Sequence, residues 1–107
     1  MSLLLLNQHL IDNQSMASDI TSEVIDLSSV SGFAVHSIWT GVPVGNIIIQ
    51  GSNNSENFVD LATVAAGGAA GQNMFNYEHV HFRYIRVFYD STSGTGNLDV
   101  YVSAKSF

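Results

Sequence analysis

The chain has 107 residues, enough for one domain with a modest core. Charged residues make up 11% of it, against about 25% in an ordinary globular protein, and the net charge is −6 with Arg83, Arg86 and Lys105 as its cations. So few cations exclude a phosphate-neutralising nucleic-acid binder and leave little for an anionic membrane surface to attract. The absence of cysteine rules out a disulfide framework and thiol chemistry.

The opening MSLLLLNQHL has four consecutive leucines and no basic residue ahead of them. A secretory leader needs an apolar run of about seven or more, so this is not read as one. Leu3, Leu4, Leu5 and Leu6 are expected as a first strand, or as an arm within residues 1–12 laid on a neighbouring subunit. No stretch approaches the roughly 18 apolar residues of a membrane helix, and no membrane insertion is expected. Asn-x-Ser sequons at Asn13 and Asn53 carry little weight without a leader.

In QSMASDITSEVIDL the sequence is divided. Met16, Ile20 and Val24 recur every four residues, as on one helical face, whereas Thr21, Glu23 and Ile25 suit an extended segment. A loop followed by a strand near 22–27 is expected. GFAVHSIW, residues 32–39, alternates cleanly, with Phe33, Val35, Ser37 and Trp39 on one side. TGVPVG then makes a turn and keeps the only proline, Pro43, out of any strand interior.

VGNIIIQ (44–50) and NFVDLATV (57–64) are the next strands. The polar run between them, from Gly51 to Asn57, is rich in Asn, Ser and Gly, which tolerate left-handed backbone and bond locally to it. It has no aromatic to stack on a sugar and is read as a bend. AAGGAAGQN, residues 65–73, is expected as a flexible loop. Strands follow at 73–77, 81–89 and 97–104, with a hairpin through STSGTGN joining the last two. The pattern predicts an all-β chain: a small antiparallel β-sandwich of about seven to eight strands, one domain over residues 1–107.

The strand in HFRYIRVFYD sets Ile85, Val87 and Tyr89 on one face and Tyr84, Arg86 and Phe88 on the other. A sandwich strand normally turns a polar face to water. Two largely apolar faces imply a cover for the outer one, either the 65–73 loop or a second subunit. The weakly charged surface fits a protein packed against others, although a neutral-surfaced monomer would share it.

Catalytic chemistry finds no support. No serine sits in a G-x-S-x-G elbow, and VSG and STSG are turn chemistry. His79 and His81 are two apart and can face one way on a strand, but a metal site needs three or four ligands and nothing fixes a partner for the pair. Asp90, Asn97 and Asp99 offer calcium-type oxygens without an EF-hand pattern. No catalytic, metal or cofactor residue is assigned.

IIIQGSNNSENFVDL, FRYIRVFYD and GNLDVYVSAK resemble the strand–turn–strand and closing strands of discoidin-type modules. With LIDNQS and WTGVPVGNIIIQGSN, the arrangement over about residues 10–105 more closely resembles small structural proteins of tailed and membrane-containing bacteriophages. The chain is shorter than a discoidin module and lacks its cysteines, so that family's lipid or galactose binding transfers to no residue here. The phage resemblance implies a jelly-roll or discoidin-like sandwich in the virion: a non-enzymatic minor capsid, decoration or tail-associated protein. Its partners would be copies of itself and larger virion proteins. The alternative is a carbohydrate-binding or host-attachment module, which predicts exposed aromatics at one end of the sandwich with Asn and Asp beside them. Contact residues are expected among Leu3, Leu4, Leu5, Leu6, Trp39, Phe75, Tyr77, Phe82, Tyr84, Phe88 and Tyr101, some of which must be core.

Overall fold

The computed structural model describes residues 3–28 and 30–106, and side chains from Leu6 onward. Among the described residues nine strands form: β1 (Leu3–Ser15), β2 (Ile20–Thr21), β3 (Ile25–Asp26), β4 (Gly32–Trp39), β5 (Val44–Ser52), β6 (Val59–Gly67), β7 (Gly71–Tyr77), β8 (Tyr84–Ser93) and β9 (Asn97–Ser106). They make two antiparallel sheets, β1-β9-β4-β7 (sheet 1) and β2-β8-β5-β6 (sheet 2), with β3 also paired to β8. The chain is a β-sandwich. Counting β2 and β3 as one interrupted strand gives eight, ordered 1-8-3-6 against 2-7-4-5.

Period-two alternation builds the core. From β9, Leu98, Val100, Val102 and Ala104 point between the sheets; from β8, Ile85, Val87 and Tyr89 do; from β5, Ile47 and Ile49. Each buried Val, Leu or Ile among them stabilises the fold by roughly 1.5–3 kcal/mol. A one-residue slip in any of these strands would turn that whole set to water, so the apolar pattern pins the register.

Three local expectations are corrected. The 65–73 segment is mostly strand: β6 runs to Gly67, β7 starts at Gly71, and only 68–70 remain as a corner between sheets. It therefore does not cover the outer face of β8. Residues 94–96 are likewise no hairpin, because β8 and β9 lie in different sheets. In place of the single strand expected near 22–27 there is a broken edge of two short pieces, β2 and β3. Ser22 bridges the break: its backbone N–H donates to the Val87 carbonyl, and its hydroxyl accepts the Val87 N–H at 2.8 Å. Met16 and Ile20 are buried while Val24 is exposed, so the helical spacing was coincidental.

The 52–58 bend is held mostly by its own side chains, and the Arg83 N–H ties it to the chain before β8 through Asn53 Oδ1 and the Ser52 carbonyl. Ser52 Oγ accepts the backbone N–H groups of Asn54 and Ser55, and Asn54 Oδ1 accepts those of Glu56 and Asn57. Ser55 takes the left-handed conformation at φ 63°. The side chains of Ser52 and Asn54 are spent on the turn itself.

Tyr89 breaks the pattern of a satisfied interior. It is 0% exposed and its Oη has no hydrogen-bond partner among the described residues. Burial pushes its phenol above the ordinary value. The Ser91 hydroxyl, which donates to the Met16 carbonyl, pulls the other way but less than burial. Gly45 makes room for the ring, since a Cβ there would lie 2.6 Å from Oη. Tyr89→Phe is therefore expected to raise stability by about 1 kcal/mol, read as a higher urea midpoint. A lower midpoint would show that the hydroxyl is satisfied after all.

Candidate functional site

The outer face of sheet 1 carries one row of side chains across all its strands. His9 pairs with Tyr101, Tyr101 with His36, and His36 with Met74, through the β1–β9, β9–β4 and β4–β7 registers. The His9 and Tyr101 rings stack at 4.1 Å and 8°. His36 sits 6.3 Å from Tyr101 at 42°. Tyr101 is 37% exposed and Met74 54%. Between those two walls runs a shallow trough of about 480 Å³, floored by Ala34, His36 and Ile38, with Asn7 and Ser103 at one end.

Hydrogen bonds fix both histidines. His9 Nε2 is 2.9 Å from Asp99 Oδ1, which also accepts the Asn13 N–H. His36 Nε2 is 3.0 Å from Gln72 Oε1. Asn13 has φ 48°, and the register of β1 shifts between His9 and Gln14, so Asp99 clasps an irregular stretch of the edge strand. The Asp12 carboxylate stands nearby, and the ligand atoms of His9, Asp12 and Asp99 lie within 4.8 Å of one another. The clasp accounts for His9 and Asp99 without an ion.

The two metal expectations from the sequence are not brought together. His79 and His81 are exposed in the β7–β8 connection, outside that group. Asp90 belongs to sheet 2, whereas Asn97 and Asp99 belong to sheet 1.

Sheet 2 differs on its outer face. Arg86 lies over the Phe58 ring at 4.0 Å and donates through Nε to Gln50 Oε1 at 2.8 Å. Gln50 in turn donates to Asp60. Tyr84 and Phe88 flank this strip, both half-buried, and Phe88 is paired with Ile48. On this strip the face of the Phe58 ring is already covered by the Arg86 guanidinium.

No family model matches this chain, and no curated protein matches its sequence. Its likeness to known proteins is in shape. The SPBc2 prophage-derived protein YomS superposes with TM-score 0.63 at 8% identity, over 96% of this chain and 95% of that one. The PBSX exported protein XepA gives 0.62 at 18%, over 97% of this chain and 36% of that one. A structure described as CBM4 gives 0.50 at 14%, over 78% and 60%. At these identities the likeness establishes the sandwich fold.

Of the remaining contact candidates, Phe75, Tyr77 and Phe82 gather at one side of the sandwich. β6 and β7 end their sheets on the same side, joined by the 68–70 corner, and neither has a partner strand on its outer edge among the described residues. Leu61, Val64, Phe75, Tyr77 and Phe82 pack on the core from there but stay half-exposed. Phe75, Tyr77 and Phe82 surround buried Phe33, with centroids 5.7–6.3 Å from it. Leu6 packs on the core too, and the backbone of residues 3–6 pairs with β9; the side chains of Leu3, Leu4 and Leu5 lie outside the described residues. Trp39 is corrected from contact to core: it is 7% exposed, and its Nε1–H donates to the Ala69 carbonyl at 2.9 Å. The sequence reading missed His9, His36 and Met74. Alternation set His36 opposite Trp39, but only long-range pairing lines it up with Tyr101.

Proposed function

We propose that this chain is a non-enzymatic structural protein of a bacteriophage particle. It acts through contacts with copies of itself or with a larger virion protein. The observation that carries this reading is the open β6/β7 side. Unpaired strand edges are templates for association, and proteins that stay single blunt them with charge, proline or bulges. Here β7 keeps a regular register with β4 and has no charged residue from Gly71 to Tyr77; β6 has one register shift and one charge, Asp60. Half-exposed aromatics beside these edges are the residue types favoured at interfaces. The two antiparallel sheets add support, because counted as eight strands they fit a double-sheet jelly roll, an architecture used by viral capsid and lectin domains. So does the full-length likeness to a prophage-derived protein.

The test is mass in solution by light scattering, followed by a search for the chain in purified particles. A multiple of the 11.5 kDa monomer is expected, dropping toward one copy in Val64→Lys. A wild-type monomer that never co-purifies with particles contradicts the reading.

A second reading, carbohydrate binding, is favoured by one observation: the trough against Tyr101 on sheet 1. Its aromatic lies on a sheet face, not at an end of the sandwich. The two readings use different surfaces and are compatible in one molecule.

A further inference from the structure

We propose that the trough on sheet 1 is a subsite for one pyranose ring of a neutral polysaccharide, with Tyr101 as its stacking platform. This rests on the carbohydrate reading above and gives it a place and a ligand class. A sugar ring presents an apolar C–H face and a rim of hydroxyls. It needs a flat apolar wall and polar groups beside it, held in place before the sugar arrives.

Sheet 1 supplies each part. One face of Tyr101 is covered by His9 at 4.1 Å, and its other side looks across His36 toward Met74. His9 is tied to Asp99, so the ring pair stays upright without the sugar paying to order it. His36, on the trough floor, is tied to Gln72 Oε1 at 3.0 Å, so its ring is held in place as well. At the other end, Asn7 and Ser103 face each other with Oγ to Oδ1 at 3.5 Å, a weak contact that a hydroxyl can enter. No Lys or Arg lines the trough, and the chain carries −6, so an anionic polysaccharide is repelled where a neutral one is not. On the opposite face of the sandwich Arg86 already occupies the Phe58 ring.

The experiment is native affinity electrophoresis in gels containing hydroxyethylcellulose, glycogen, xylan, galactomannan or mannan. Wild-type protein is expected to be retarded by at least one of them. Tyr101→Ala should weaken that binding about tenfold or more, because stacking area and the partner of His9 are both lost. Met74→Arg, which fills the trough from its exposed wall, should weaken it comparably. Phe88→Ala on sheet 2 should leave it unchanged. Urea midpoints show that the variants are folded. Retardation that survives both Tyr101→Ala and Met74→Arg overturns the site but not the carbohydrate reading. Retardation by none of the probes overturns both. If Tyr101→Ala instead lowers the mass in solution without affecting retardation, the trough is a subunit contact and the proposal fails.

Discussion

Replacing Trp39 by alanine is expected to cost about 3–5 kcal/mol of stability. The indole does two things at one corner. Its Nε1–H holds the Ala69 carbonyl, and its ring fills the space over Gly71, where a Cβ would come within 2.8 Å of Cζ2. Together these fix the link through which the chain leaves sheet 2 and enters sheet 1. The same corner is held from the other side by Gly68, whose N–H donates to the Pro43 carbonyl at 2.8 Å. Trp39→Phe keeps much of the packing and loses the hydrogen bond, so it should cost less than Trp39→Ala by well over 1 kcal/mol. Trp39 is the only tryptophan, so unfolding is followed by circular dichroism in urea. A loss below 1 kcal/mol for Trp39→Ala would mean that the corner holds without it.

Gly96→Ala is expected to cost about 3 kcal/mol or more, through overpacking against backbone that cannot step aside. A Cβ at Gly96 would lie 2.0 Å from the Thr40 carbonyl oxygen. The 40–43 and 94–96 connections lock together: Thr40 N–H donates to the Asn97 carbonyl and Val42 N–H to the Thr95 carbonyl. Gly94 in the same connection has φ 82°, and a Cβ there would run into the Val42 carbonyl oxygen, so the position is barred to other residues by both conformation and space. Gly67→Ala is the control. Nothing lies within 4 Å of its Cβ position and its φ is ordinary, so the change should be neutral or slightly stabilising. If Gly67→Ala and Gly96→Ala shift the urea midpoint equally, close approach of the two connections is not what Gly96 provides.

How far the sequence could be read follows from which interactions are local. Alternation located β4, β5, β8 and β9, because side-chain period two is a property of each strand alone. It also put Trp39 on the same side as Phe33 and Val35, the side that proved to be the core. Expecting it as a contact went against the chain's own pattern. The 65–73 and 94–96 connections were misjudged for a different reason. Small residues mark a change of direction, but the same residues serve a hairpin and a crossing between sheets. Only the pairing of β8 with β5, and of β9 with β4, tells them apart. The row from His9 to Met74 was hidden in the same way. Its members come from four strands, and their alignment depends on three registers between distant segments. The broken edge at β2 and β3 depends on Ser22 meeting Val87, 65 positions away.

Leu3 faces Ser106 at the end of the β1–β9 ladder. Partners across an antiparallel ladder have Cα atoms about 5 Å apart, so the chain enters and leaves the fold at almost the same point. Such a body can be spliced into another polypeptide without stretching its host.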